Sequence, residues 1–568
     1  MNEPDPVPAP RGALATPPPA AAARQGERAL AEFEQALERA GEDPPASPGW
    51  REAAGRVFAA SEFVARLARQ RPRALRDLLA GGRLLADESV DSFRERLQAR
   101  VDAEVADGDE AALMRVLRRF RVEEGVRIAW RDLAGYAGIE TCLAEQSDLA
   151  ESCIQLALGW LDAQLAARHG APAGADGERE SLLVLAMGKL GGRELNFSSD
   201  IDLIFVHGTP GRTGGAQPLD HGDYFTRLGQ ALIRVLGQRT ADGFAYRVDL
   251  RLRPFGDSGP LVVHAGQLEQ YLLSQAREWE RFALVKARPL SGDKATRESI
   301  EALLRPFVYR RYLDFGAFEA LRDLKARLER EVARKGLHGN VKYGRGGIRE
   351  IEFIAQAFQL IRGGREPALR CRGLLAALDG LAGTGDVDPS EVATLSDAYR
   401  ELRRVENRLQ SWSDDRVHAL PRDTEARARL AWTLGHADWD EFEQALQTSM
   451  GAVHECFGHV FNVEEDGAGS TGDDGLAAVW EGELDESDAH QRLKSAGFAD
   501  AGEALRRLAT LRDSARYRGL SATARARLDR LLPALIADSG RGETPDATLA
   551  RVLDLVEAIA SRSVYLSL

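Results

Sequence analysis

The chain alternates between two rhythms of apolar residues. From about Arg28 to Arg168 the spacing is helical: "ALAEFEQALERA" and "SEFVARLARQRPRALRDLLAGGRLL" repeat apolar residues three and four apart, broken by Pro and Gly. The stretch "HGAPAGADGERE" (169–180) reads as a linker. The rhythm then shortens. "LLVLAM" (182–187) is a short apolar run, expected as a strand covered on both faces, and "DIDLIFVHG" is a second strand. "HGDYFTRLGQALIRVLG" sets Phe225, Leu228, Leu232 and Val235 on one helical face, with Gly237 as its stop. "AYRVDLRLRPFG" (245–256) alternates strictly and is expected as a third strand. Strand, strand, helix, strand marks a small α/β unit inside a mostly helical chain.

After about Glu301 helices return. "GGIREIEFIAQAFQLIRGG" places Ile348, Ile351, Ile354, Phe358 and Ile361 on one stripe, and "AYRELRRVENRLQSW" does the same with Tyr399, Leu402, Val405, Leu409 and Trp412. The expected organisation is a disordered Pro/Ala-rich tail (1–27), a helical region (28–168), an α/β domain (169–300), a helical bundle (301–463), a flexible linker "EEDGAGSTGDDG" (464–475) and a last helical segment (476–568). The sequence stops inside an amphipathic pattern, at "AIASRSVYLSL", so a fragment is expected. With 568 residues, three or four packed units are expected.

Composition narrows the class. Apolar residues at 44% and charged residues at 29% suit a globular protein. A formal net charge of −13 argues against nucleic-acid binding by bulk electrostatics, although a local basic pocket stays open. The four cysteines form no CxxC pair, which disfavours zinc and suits a reducing compartment. The start has no signal-peptide core, and no run approaches the ~18 apolar residues of a membrane span. The ten histidines show no ligand spacing, and His207, His221 and His264 are read as structural.

Candidate chemistry centres on "AMGKLGGRELNFSSDIDLIFVHG". Side chains alternate along a strand, so Asp200 and Asp202 share one face and Ile201, Leu203 and Phe205 the other. On the third strand Asp249 shares a face with Arg247, Arg251 and Arg253. Neighbouring strands would bring the three carboxylates together. At ~4 Å and an effective dielectric near 20, each like-charge pair costs about 4 kcal/mol. A domain's whole stability is only about 5–15 kcal/mol. Arginines can supply part of the neutralisation, but hard divalent ions bound by oxygens suit the set better. Mg²⁺ takes carboxylates plus phosphate, and two ions would hold the attacking and leaving oxygens of an in-line displacement. Gly188, Gly191 and Gly192 let backbone N–H groups approach a phosphate, and Ser198 and Ser199 offer hydroxyls. Lys189 meets a phosphate or is solvated. A lone DxD is mostly an exposed turn; the conjunction of Gly-rich turn, strand-borne DxD and a third Asp among arginines points to chemistry.

That conjunction resembles the nucleotidyltransferase superfamily. "GKLGGRELNFSSDIDLIF", "VDLRLRPFGDSGPLV", "WERFALVKARPLSGD", "VKYGRGGIREIEFIAQ" and "LRRVENRLQ" followed by "HALP" together resemble the glutamine synthetase adenylyltransferase/adenylyl-removing family. The resemblance runs from about residue 110 to the C-terminus. It implies a mostly α protein with an α/β, polymerase-beta-like nucleotidyltransferase core and helical domains on both sides. The family carries two such halves. The N-terminal half removes AMP from a tyrosine of glutamine synthetase by phosphorolysis, releasing ADP, and the C-terminal half attaches AMP from ATP. This chain holds one "GKLGG…SDID" pattern, after a long helical region, and "GGIREIEF" has Glu350 where the attaching half typically has Asp. Both features resemble the removing half.

The resemblance assigns Asp200, Asp202 and Asp249 as metal-binding and catalytic carboxylates for Mg²⁺, with two ions. Arg251 and Arg253 are candidates for phosphate oxygens, or else pair with Asp249 or Asp257. In "KYGRGGIREIEF", a Gly-rich helix start with Lys342, Arg345 and Arg349 invites an anion; the plain alternative pairs Arg349 with Glu352. In "WERFALVKARP", Trp279 and Phe282 are read as core, while Lys286 and Arg288 are placed to reach the site. "RRVENRLQ" is read as helix packing. The implied partners are glutamine synthetase, the PII signal protein, and phosphate, ADP or ATP, in a cytoplasmic setting, without nucleic acid or membrane. Rival expectations are an adenylyltransferase of the same family and a non-catalytic half that senses PII or nucleotide; a nucleic-acid nucleotidyltransferase is more distant.

Overall fold

The computed structural model describes residues 7–174, 177–208, 210–310, 339–385, 387–462, 473–520, 522–542 and 544–560. It is mostly helical with a small mixed sheet. The described residues form two compact units, one reaching Phe457 and the other beginning at Gly458. Three or four units were expected. The helices before residue 170 do not close a core of their own: Phe58, Phe93, Trp130 and Leu149 pack in one apolar cluster with Val184, Leu203, Phe205, Leu228 and Leu232. The expected boundaries at 168 and 300 are therefore not unit boundaries, and the helix Lys294–Val308 runs across the second.

The expected disordered tail is corrected from Val7 onward. Val7 and Leu14 are buried. A short 3₁₀ turn covers Gly12–Ala15, and the first long helix already begins at Ala20. Arg56 Nη1 donates to the carbonyls of Leu14 and Ala15, both at 2.6 Å, and Trp432 Nε1 to that of Thr16 at 3.1 Å. Two buried apolar side chains and satisfied carbonyls offset the chain entropy that composition alone suggested would win.

Two long helices back the sheet: α1 (Glu110–Leu133), capped by Asp109 on the N–H of Ala112 at 2.8 Å, and α2 (Ile139–His169), ended by Gly170 at φ +79°. The sheet holds β1 (Leu183–Ala186), β2 (Ile201–His207), β3 (Val248–Asp249), β4 (Val262–His264) and β5 (Arg288–Pro289). β2 is central. β1 runs antiparallel on one edge, with Leu185 opposite Ile204, and β5 lies beyond it. On the other edge β3 and then β4 lie parallel to β2, at its start and its end. The two faces of β2 feed different cores. Ile201, Leu203 and Phe205 join the large cluster with α3 (His221–Gly237), while Ile204 and Val206 meet Leu183, Leu185 and Leu304.

The third strand is much shorter than its alternation suggested. Asp249 accepts the backbone N–H of Arg251 at 2.9 Å, which turns the chain, and Arg253 N–H bonds the Leu250 carbonyl at 3.1 Å. Local side-chain-to-backbone bonding wins over ladder pairing here. Arg251 and Arg253 thus stand in a turn, not on a strand face.

Of the expected bundle, residues 311–338 lie outside the described residues. Its helices include α4 (Ile348–Arg362) and α5 (Pro389–Ser411). Most of the expected linker 464–475 also lies outside, and a helix begins within it at Asp473. The second unit has its own core, including Trp480, Leu493, Phe498 and Leu532. Among the described residues no helix is long and apolar enough to cross a membrane.

Candidate active site

Strand pairing sets the site. The parallel register places Asp202 directly beside Asp249, and Asp200 leads into β2 on the same side. All three line one cleft of about 320 Å³. The turn before β2 closes its floor. Met187 N–H bonds the Asp202 carbonyl at 2.9 Å, and Gly188 sits at φ +54°, where a Cβ would lie 3.1 Å from Asp202 Oδ2. Glu352 adds a fourth carboxylate, and Lys189, Arg251, Lys286, Lys342 and Arg416 are the cations of the lining.

The carboxylates are treated unequally. Asp200 pairs with Arg247 at 2.8 Å and with Arg416. Asp249 is gripped by Arg251, which holds it below the usual carboxylate range through hydrogen bonding. Asp202 has no hydrogen bond or ion pair on its carboxylate among the described residues. Burial, then the charges of Asp249 and Asp200, push it up to about 6. Across the cleft Lys286 bonds Glu194 at 2.7 Å and Glu352 at 3.0 Å. Those carboxylates outweigh burial and raise Lys286, while Lys286, Lys342 and Lys189 outweigh burial on Glu352 and hold it at about 2.

Behind the cleft runs a polar stripe on α5. Arg403, Glu406, Asn407 and Gln410 recur at helical spacing, and all are buried. Glu406 takes Lys189 Nζ at 2.7 Å, Arg403 bonds Asn196 Oδ1 at 2.8 Å, Asn407 meets Asn196 at 3.0 Å, and Gln410 accepts the Ser198 N–H at 3.2 Å. The stripe therefore reads the whole loop from Lys189 to Ser198. Burial, with Arg403 and Lys342, pulls Lys189 down to about 7 against the pull of Glu406. On Glu406, Lys189 and Arg403 outweigh burial and hold it well below the usual range.

Residues 52–303 match the family described as glutamate-ammonia ligase adenylyltransferase. The chain is 49% identical over 547 residues to a bifunctional glutamine synthetase adenylyltransferase/adenylyl-removing enzyme of Thioalkalivibrio sulfidiphilus, covering 95% of this chain and 56% of that protein. Proteins of the same name from Nitrosococcus oceani (45% identical, 95% and 56% covered) and Pseudomonas aeruginosa (45%, 90% and 53%) match similarly. The chain belongs to the glutamine synthetase adenylyltransferase/adenylyl-removing family. It spans about half the length of the curated relatives it matches. Residues 322–461 also match a family described as GlnD PII-uridylyltransferase.

Lining the cleft of this chain are Gly188, Lys189, Ser199, Asp200, Asp202, Asp249, Arg251, Lys286 and Lys342, all named from sequence. Seven other candidates stand outside its lining, among them Arg345, which lines a separate pocket with Arg422 and His454. Gly191 and Gly192 face carbonyl oxygens, those of Lys286 and Arg372, instead of a phosphate. Ser198 is buried and donates to the Asp414 carbonyl at 3.0 Å. Arg253 bonds the Leu250 carbonyl at 2.9 Å and Asp257 at 3.4 Å. Arg349 sits 5.6 Å from the Tyr343 ring, and Glu352 pairs with Lys286 instead of with it. Arg288 does not reach the cleft. It binds Glu151 at 2.7 Å and the Gly191 carbonyl at 3.2 Å, holding the glycine turn. Trp279, expected in the core, is exposed, while Phe282 stacks on Phe353 at 5.3 Å.

Sequence reasoning missed Arg416, His418, Tyr343, Glu352 and Gln356. The last four lie in stretches already quoted as motifs, and the polar stripe on α5 was visible as charged and amide residues at helical spacing. Gly191→Ala tests the turn. Its Cβ would lie 1.9 Å from the Lys286 carbonyl oxygen and 2.7 Å from that of Ala186, both backbone. A loss of about 1–3 kcal/mol or more is expected as a lower urea midpoint.

Proposed function

We propose that this cleft removes AMP from an adenylylated tyrosine of glutamine synthetase by phosphorolysis, releasing ADP, on a polymerase-beta-like nucleotidyltransferase core. The observation that carries the proposal is the in-register pair Asp202–Asp249 with Asp200 at the strand head, in one cleft rich in cations. The chain holds one Gly-rich DxD pattern, and Glu350 in "GGIREIEF" favours the removing half over the attaching one.

Among the described residues no group of three His, Cys, Asp or Glu side chains is already arranged to hold a metal ion. The donor set nevertheless suits magnesium. It is all oxygen, its central carboxylate lacks a partner, and the flanking guanidinium of Arg251 is largely exposed and free to yield. Asp200, Asp202 and Asp249 would hold the ions, two by resemblance, which when bound would screen charge on the reacting phosphoryl oxygens.

The chain's own residues do the rest. Arg251, Lys342 and Arg416 line the cleft where anionic oxygens must sit, and they hold hydrogenphosphate against the adenylyl phosphorus. A phosphate oxygen forms the new P–O bond and the bond to the tyrosyl oxygen breaks: hydrogenphosphate plus adenylyl-tyrosine gives ADP plus tyrosine. Phosphate is already a nucleophile, so positioning and electrostatics carry most of the rate. Phe282 and Tyr343 supply the aromatic part of the lining.

The test mixes the chain with AMP-modified glutamine synthetase, Mg²⁺ and phosphate. ADP release that stops when phosphate is omitted is expected; none, where a known deadenylylase works, sinks the proposal. The relatives' bifunctional names favour AMP attachment from ATP as a second reading, which labelled AMP incorporated by this chain alone would support. The match of residues 322–461 to a PII-modifying enzyme supports PII as a regulatory partner.

A further inference from the structure

We infer that His418 transfers the proton at the tyrosyl oxygen, held in place by Glu406. The inference rests on adenylyl-tyrosine being the substrate of the cleft. His418 lines the same cleft as Asp202 and Lys342. Its backbone is fixed, because its carbonyl accepts the Val341 N–H at 3.1 Å. Its ring lies edge-on to Tyr343, with centroids 5.9 Å apart. The side chain is 11% exposed, and its Nε2 has no hydrogen-bond partner among the described residues. A buried polar group without a partner is costly, and in a substrate cleft the missing partner is the substrate.

Glu406 gives the ring its direction. Its Oε1 stands 3.0 Å from His418 Nδ1. Lys189 anchors the same oxygen at 2.7 Å and Arg403 the other oxygen, Oε2, at 3.1 Å, so the carboxylate is held at both ends. A carboxylate at Nδ1 keeps a proton on that nitrogen and leaves Nε2 to exchange one, the arrangement of a base oriented by a third group. The charged and titratable groups around the ring are Glu406 from α5, Lys189 from the glycine turn, and Lys342 and Tyr343 from the loop before α4. Burial with the two lysines outweighs Glu406 and lowers His418's hold on its second proton, which suits a group that must release it.

In AMP removal a phosphate oxygen bonds to phosphorus and the P–O(Tyr) bond breaks. Its electron pair goes to the tyrosyl oxygen, which takes the proton from His418 Nε2. The proton that hydrogenphosphate loses on becoming ADP returns to the imidazole through solvent, so none is gained or lost overall. In AMP attachment the same nitrogen takes the tyrosyl proton.

The test compares glutamine synthetase carrying AMP on tyrosine with the same protein carrying it on 3,5-difluorotyrosine, whose more acidic phenol leaves without a proton. His418→Gln is expected to lower kcat about 10²-fold or more on the tyrosine substrate. On the fluorinated substrate most of that loss should disappear. Equal losses on both substrates, or none, overturn the inference and leave phosphorolysis standing. The wild-type chain serves as a second measurement if His418→Gln does not fold: its kcat should change little on fluorination, and a large gain overturns the inference. A wild-type chain inert on both substrates overturns the phosphorolysis reading and the inference with it.

Discussion

Asp202→Asn is expected to cut phosphate-dependent ADP release about 10³-fold or more, because several kcal/mol of charge stabilisation depend on this carboxylate and each 1.36 kcal/mol is tenfold. The same variant is expected to resist urea better than the wild type at pH 8. In the folded chain Asp202 holds its proton up to about 6, against an ordinary 3.8. The folded state therefore binds this proton more tightly than the unfolded one. Stability falls as pH rises from about 4 to about 6 and stays lowered above that. Two pH units correspond to roughly 3 kcal/mol. Asparagine keeps the shape and removes the charge, so the gain should appear at pH 8 and vanish near pH 4. Mg²⁺ should relieve the same strain, raising the wild-type unfolding free energy at pH 8 by ~2.7 kcal/mol at a hundredfold excess over its dissociation constant, read as a higher urea midpoint. It should not raise the midpoint of Asp202→Asn. A variant less stable than the wild type at pH 8 would show that the three carboxylates are not crowded.

Loss of activity together with gain of stability is the signature of a site kept for function at the fold's expense. A purely structural ion pair would give the reverse sign. Asp200 and Asp249 are neutralised by arginines, so the cost falls on the one carboxylate left between them.

The chain's periodicity was enough to place the elements that frame this cleft. β1 and β2 are buried apolar runs, α3 spans His221–Gly237 as its stripe suggested, and the DxD spacing puts Asp200 and Asp202 in the cleft. What periodicity could not carry was everything set by contacts distant in sequence. β4 and β5 are three and two residues long, too short for a pattern to show. β3 ends where one aspartate bonds the backbone two residues on, and alternation continues past that turn with no strand beneath it. Arg416 and His418 reach the cleft only because the segment after α5 pairs with the loop before α4, through Asn340 and Ala419. The buried face of α5 was legible in its apolar positions and misjudged in width, since Arg403, Glu406 and Asn407 are as buried as Leu402 and Val405. Hydrophobic patterning cannot show a buried polar face whose partners lie some two hundred residues earlier.

Glu406→Gln puts that face to the test. Removing one partner of a buried ion pair leaves uncompensated charge and costs about 3–5 kcal/mol, far more than the pair contributes over an apolar replacement. Here the variant strands Lys189 and Arg403, which meet Glu406 at 2.7 and 3.1 Å. The glutamine amide fills the same volume, so the loss is electrostatic and not a cavity effect. Combining it with Lys189→Met should recover part of the loss, because the double variant no longer buries an unpaired ammonium; a double variant as unstable as the sum of the singles would mean the two do not interact. The pH dependence has a definite sign. Glu406 is held well below its ordinary 4.5 in the folded chain. Its contribution is therefore present above about pH 4.5 and lost as the medium becomes more acid. The gap between wild type and Glu406→Gln, read as urea midpoints, should be wide at pH 7 and shrink steadily below pH 4.5. A gap independent of pH would assign the stripe's role to shape alone and remove charge from the account of how α5 holds the glycine turn against the cleft.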